Sequence, residues 1–141
     1  MDAPLDPEVW NNKGFMRWAG ARLIRAEKGR SRIALAITDG HRGGAGTTAV
    51  NGAILSYLHD VAQGLAVRSC LGDRVACLAT ITLNIEFHGL LHAKDVIHAD
   101  GHAIRVGKSV AFGESEVRDD AGVLCSRATG SFKVRLKKAP L

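Results

Sequence analysis

Asp60 is the residue from which a chemistry can be argued. It lies in the stretch 50–69, where Ile54, Leu58, Val61 and Leu65 recur at the three-and-four spacing of one helical face. That spacing predicts a helix with one buried side, and Asp60 projects off the stripe on a flank shared with Ser56, Gly64 and Val67. Just upstream, His41-Arg42-Gly43-Gly44-Ala45-Gly46 is too rich in glycine for regular structure. The helix is therefore expected to begin at Asn51 and Gly52, where the first backbone N–H groups lack partners inside the helix. Donors of that kind hold an oxygen anion. Asp60 follows Asn51 by roughly 13 Å along the axis, at about 1.5 Å per residue, too far to serve the donors of its own helix start. Two copies lying antiparallel bring each Asp60 opposite the other's Gly52, which points to a dimer.

The other groups with chemical potential are less well disposed. His59 adjoins Asp60 in sequence but sits about 100° away around a helix. The two form no dyad within one chain, and His59 is expected at an exposed or interface position. His88 and His92 flank a Gly-Leu-Leu loop, while His98 and His102 bracket Ala-Asp-Gly in a strand. Neither pair has a strong metal-ligand spacing, so no metal is expected. Cys70, Cys77 and Cys125 are odd in number and lack the short paired spacing of a zinc or redox motif, which predicts reduced thiols and a cytoplasmic location.

Composition bounds the scaffold. A chain of 141 residues with 46% apolar and 23% charged residues is one ordinary globular domain. No apolar run approaches the roughly 20 residues of a membrane span, and the acidic start Met-Asp-Ala-Pro-Leu-Asp-Pro-Glu does not read as a secretory signal. The net charge of +5 is read as solvated surface, because aromatic residues make up only 5% and do not interleave with basic ones. Neither nucleic acid nor membrane is expected as a partner.

The elements follow in order. Residues 7–18 read as one short amphipathic helix, with Pro7 in its first turn. Residues 21–26 and 32–38 read as a hairpin turning at Glu27-Lys28-Gly29-Arg30. After the helix, closed near Gly72, the stretch 76–87 alternates, with Ile81, Leu83, Ile85 and Phe87 on one side and Thr80, Thr82, Asn84 and Glu86 on the other. That pattern predicts one buried face and one polar face. Strands over 95–106, 109–117 and 123–134 continue as an antiparallel meander, with turns at Gly107-Lys108 and 119–122. A hairpin, one long helix and four strands cannot be a doubly wound fold. They predict an α+β domain in which a curved antiparallel sheet wraps a single central helix. The domain covers 1–141, with a helical extension over 1–19 and a basic tail over 136–141.

These residues resemble a known family. The element order, and the segment Asn51-Gly52-Ala53 followed by Asp60, is similar to the hot-dog-fold acyl-CoA thioesterases of the phenylacetate-pathway and 4-hydroxybenzoyl-CoA type. In that family the helix opens with His-Gly-Gly, and an acidic residue follows seven positions after the second glycine. The spacing is kept here, while Asn51 stands for the histidine and Ala53 for the second glycine. The family's upstream loop asparagine falls on Ala45. Thr80-Ile81-Thr82-Leu83-Asn84-Ile85-Glu86-Phe87 resembles the family's central strand, and Val106-Gly107-Lys108-Ser109 with Arg127-Ala128-Thr129-Gly130-Ser131-Phe132 resembles its last two.

The resemblance implies hydrolysis of an aromatic or medium-chain acyl-CoA, with coenzyme A as part of the substrate and no separate cofactor. It also implies a homodimer that builds the site and pairs into a dimer of dimers. The Gly52 N–H would receive the thioester oxygen, and Asp60 would act across the interface as base or nucleophile. Asn51 would orient the carbonyl and Thr80 would position the water. Arg105 and Lys108 correspond to a loop near the nucleotide end of coenzyme A. Ser56, Tyr57 and Gly64 are candidate substrate contacts, although Gly64 reads more readily as a close-packing point. Two other functions compete: an acyl-CoA binder without turnover, suggested by Asn51 and Ala45, and an enoyl-CoA hydratase. Against the hydratase, Asp39-Gly40-His41 lacks that family's sequence context.

Overall fold

The structure is a computed structural model that describes residues 4–44 and 46–139. Two short helices, α1 (Pro7–Trp10) and α2 (Gly14–Ala19), lead into β1 (Ala21–Glu27) and β2 (Arg30–Ala36). The long helix α3 (Gly52–Leu71) follows, then β3 (Val75–Phe87), β4 (Val96–Val106), β5 (Val110–Arg118) and β6 (Leu124–Leu136). The expected helix start is met within two residues, and the hairpin turns tightly on Lys28 and Gly29, with φ 52° and 76°. Two successive left-handed residues make the hairpin turn whose twist matches its strands.

The sheet has the order β1-β2-β4-β5-β6-β3, with neighbouring strands antiparallel throughout. All six strands contact α3, the α+β hot-dog arrangement read from the sequence. The meander holds for β4, β5 and β6, whereas β3 lies outside it. A 20-residue helix is about 30 Å long, enough to carry the chain across the sheet and start β3 at the far edge beside β6. None of the helices among the described residues is long and apolar enough to cross a membrane.

Leu55, Leu58, Val61, Ala62, Leu65, Ala66 and Val67 bury the sheet-facing side of α3. They pack on Leu23, Ile33, Leu35 and Ile97 at one end and on Phe132 and Val134 at the other. Each leucine or valine among them contributes about 1.5–3 kcal/mol by leaving water. Val67 is fully buried in this packing, whereas Asp60, two turns earlier on the same flank, is partly exposed. Contact is closest at Gly101 of β4, where a Cβ would overlap the Ala62 carbonyl and come within 2.5 Å of Ser31 Oγ.

The single N-terminal helix expected over 7–18 is two. The chain breaks at Asn11, whose side-chain oxygen accepts the Leu23 N–H at 2.6 Å and whose amide donates to the Leu23 carbonyl at 3.3 Å. This side-chain pairing to β1 outcompetes continuation of the helix, as asparagine commonly does. The Tyr57 hydroxyl then ties α2 down by donating to the Phe15 carbonyl at 2.6 Å.

Candidate active site

β3 is an edge strand, and its alternation is interrupted. Thr80 pairs with Phe132 but Thr82 pairs with Ser131, leaving Ile81 as an extra residue in the ladder. A bulge of this kind re-aims the side chains before it. Thr80 therefore shares the helix-facing side with buried Phe132, while the Thr82 hydroxyl meets the Ser131 hydroxyl at 2.6 Å on the outer face. The expectation that Thr80 and Thr82 share a face, and that Ile81 lies on a buried one, is overturned: Ile81 is 55% exposed. Much of β3 is exposed in the single chain, since its outer edge has no neighbouring strand.

The bulge brings Thr80 to Asp60, where its hydroxyl donates to Oδ1 at 2.6 Å. The pair opens into a cleft of about 410 Å³ between α3, β3 and the N-terminal helices. One face of α3 supplies Tyr57, Asp60, Gly64 and Arg68; Leu78 and Phe132 come from the sheet, and Trp10 and Phe15 form the outer wall. Gly64 is open: a Cβ there would meet nothing nearer than Phe132 Cε1, at 4.0 Å. Close packing does not demand this glycine, and its missing side chain leaves room in the cleft. Burial pushes the Tyr57 hydroxyl up to about 12, so it stays protonated and keeps its bond to α2.

The start of α3 forms a second, smaller cleft of about 200 Å³, lined by Asn51, Gly52, Phe87 and Leu90 among others. Asn51 caps the helix: its side-chain oxygen accepts from the Ala53 N–H at 2.8 Å, and its amide donates to the Gly43 carbonyl at 2.7 Å. Among the described residues no acceptor meets the Gly52 N–H, which remains an available donor at the positive end of α3. Asn51 is thus engaged in building the loop and the cap. Ala45, the position of the family's loop asparagine, lies outside the described residues.

The remaining expected residues scatter. Ser56 donates to the Gly52 carbonyl at 2.8 Å, within the helix. Arg105 is paired across β4 and β5 with Phe112, and Lys108 lines a separate cleft with Cys70, Leu71 and Arg74 at the far end of α3. Glu86 faces outward, beside a groove on the opposite side of the sheet whose charges are largely paired, as Arg32 with Asp100 and His102 with Glu114. From the sequence, neither Arg68 nor Phe15 is assigned to the site. Arg68 was visible in principle, since residues 60, 64 and 68 fall on one helical row.

His59 is neither exposed nor at an edge; it is fully buried. Its Nδ1 lies 2.7 Å from Ser115 Oγ, and its Nε2 lies 2.8 Å from Ser126 Oγ. Ser126 donates to the Glu86 carbonyl at 2.8 Å, and Gln63 donates to Ser115 at 2.8 Å. Those two fixed ends set every proton between them: Ser115 donates to Nδ1, and Nε2–H donates to Ser126. Burial pushes the imidazole down to about 4, so it is neutral. A directional chain of this kind fixes the rotation of α3 against β5 and β6, and with it the aim of Asp60 toward β3. Gln63 Oε1 is left buried without a donor, facing Gly130.

Residues 46–126 match the model of the thioesterase superfamily. A candidate esterase of Halobacterium salinarum is 33% identical over 134 residues, covering 88% of this chain and 86% of that protein. Two solved structures share the fold. The PaaI protein of the phenylacetic acid degradation operon of E. coli has a TM-score of 0.78 at 18% identity, covering 90% of this chain and 88% of its own. A thioesterase of Haemophilus influenzae reaches 0.82 at 12% identity, covering 94% and 92%.

Proposed function

Because the chain belongs to the thioesterase superfamily, we propose that it is a thioester hydrolase that cleaves an acyl-CoA to free acid and coenzyme A, at a site shared by two antiparallel copies. The observation that carries this reading is the Asp60 carboxylate held by Thr80 at 2.6 Å beside an open cleft. The complementary donor, the Gly52 N–H, sits at the Phe87 end of the same edge strand. Pairing of two β3 edges about a dyad near residue 83 would set Thr80 of one copy opposite Phe87 of the other, and thus each Asp60 near the other's Gly52. The unpaired edge of β3 supports such pairing.

In this arrangement Thr80 holds Oδ1 and leaves Oδ2 to take a proton from water. The water oxygen adds to the thioester carbonyl, and the Gly52 N–H stabilises the negative charge that develops on the carbonyl oxygen. Collapse of the intermediate expels the thiolate of coenzyme A, which takes up the proton. Direct attack by Asp60 through an anhydride would use the same groups. Among the described residues no histidine lines the Asp60 cleft, and both ring nitrogens of His41 are engaged, with the Thr38 N–H and the Ala19 carbonyl. That supports hydrolysis over hydratase chemistry, which needs an aspartate and a histidine together.

Thiol release from an acyl-CoA panel tests the reading. Asp60→Asn is expected to lower kcat by about 100- to 10,000-fold, the range of a positioned base. Gly52→Pro removes one N–H at the first helical position, where proline is well tolerated, after an Asn51 already in extended conformation. It is expected to cost about 100- to 1,000-fold in kcat. Mixed and reassociated, the two inactive variants should recover about a quarter of wild-type activity, since half of the dimers carry one intact site. Absence of recovery in mixed dimers would reject the shared site. Binding without turnover in the wild type, unchanged by Asp60→Asn, would favour the acyl-CoA binder.

A further inference from the structure

The Asp60 cleft ends in a cation that has no anion. Arg68 lies eight residues beyond Asp60 on the same face of α3, with Gly64 between them, and all three line the cleft. Its guanidinium stacks on Trp10, 5.2 Å from the ring centroid. Among the described residues no carboxylate lies within ion-pair distance of Arg68, and Asp60 is the one acid lining the cleft. Around it the walls are Trp10, Phe15, Leu65, Leu78 and Phe132, so the fork of five donors opens onto apolar surface. An acyl tail made only of carbon would strip water from that cation and return nothing. A tail ending in a carboxylate would meet it with a bidentate, charge-assisted pair.

We propose that Arg68 selects acyl groups with a carboxylate at their far end, so that the substrates are ω-carboxyacyl thioesters. This rests on the hydrolase reading only in taking the thioester carbonyl to sit at Asp60. Partial burial holds the Arg68 pKa below its ordinary value, opposed in part by the nearby Cys77. The step from Asp60 to Arg68 is about 12 Å along the axis, shortened because long helical side chains lean toward the N-terminal turn, and the guanidinium lies over Trp10. At roughly 1.2 Å per bond of extended chain, acyl groups of about six to eight carbons span the remaining gap.

The test is calorimetric titration of the Asp60→Asn protein with hexanoyl-CoA and with the mono-CoA thioester of hexanedioic acid, then with the eight-carbon pair. Each pair shares its coenzyme and differs at the tail. The dicarboxylic member is expected to bind about 10- to 100-fold tighter, the worth of a hydrogen-bonded charge pair. Arg68→Gln should abolish the preference, and Arg68→Lys should restore part of it. Equal affinities, absence of binding by both members, or a preference that survives in Arg68→Gln would overturn the assignment. So would an equal loss for both members in Arg68→Gln, which would make the anion a phosphate of coenzyme A. Turnover by the wild type is read separately: an Arg68-dependent preference without hydrolysis keeps this assignment and discards the hydrolase.

Discussion

Acidification should weaken the fold through one residue, and the size of the effect follows from the burial of His59. In the folded protein the imidazole is neutral, its pKa pushed from 6.5 down to about 4. The unfolded chain accepts a proton below pH 6.5 and the folded chain does not, so the contribution is whole above 6.5 and is lost as the pH falls toward 4. The gap between those two values corresponds to about 3 kcal/mol in all, of which about 2 kcal/mol is lost by pH 5. Urea unfolding followed by tryptophan fluorescence, at one protein concentration and at several pH values from 7.5 to 5, measures it directly. His59→Gln is expected to be less stable at pH 7.5 by about 1–3 kcal/mol, because Ser115 and Ser126 lose their partner. Its dependence on pH should be flatter, however, and the difference from wild type should shrink by about 2 kcal/mol by pH 5. All other ionisable groups are common to both proteins and cancel in the comparison. Parallel curves for the two proteins would refute the buried neutral imidazole.

Other expectations are simpler. Thr80→Val keeps the shape but deletes the bond to Asp60, and kcat should fall by about 10- to 100-fold, less than for Asp60→Asn, with Thr80→Ser recovering most of the loss. Gly64→Ala has room for its methyl group and should raise the melting temperature, by up to about 1 kcal/mol of helix stability; the same methyl enters the cleft and should raise KM for the longer acyl groups. Gly101→Ala forces a Cβ into the Ala62 carbonyl and should cost about 3 kcal/mol or more, read as a lowered midpoint in denaturant.

The periodicity of residues 54–65 located the central helix because an amphipathic helix advertises its buried side. The element order located the wrapped sheet because a lone helix among strands has few ways to be covered. Asp60 and Gly52 were legible for the same reason: one sits at a set distance along the helix, and the other at the point where backbone donors run out. Three features were not legible. The break at Asn11 depends on Leu23, a partner strand that local pattern does not reveal. The bulge at Ile81 depends on how Ser131 and Phe132 pair, and strict alternation hid it. The burial of His59 depends on two serines, Ser115 and Ser126, more than fifty positions away. Arg68 lay on the row of Asp60 and Gly64 all along, but only the placement of Trp10 and Phe15 shows that the row faces a cleft.

The irregularity at Ile81 makes this strand sensitive to counting as well as to chemistry. Drawing that single residue into regular pairing would leave the composition of the strand untouched, yet it would slide the segment before it by one position along β6 and turn its side chains to the opposite face. The Thr80 hydroxyl would point to solvent, Leu78 would leave the cleft wall, and Asp60 would stand beside nothing able to hold it. Relatives that exchange or lack the residue at position 81 can keep the site, because Thr80 still meets Phe132 and Thr82 still meets Ser131, whereas relatives that keep the residue but lose the bulge would have to rebuild it.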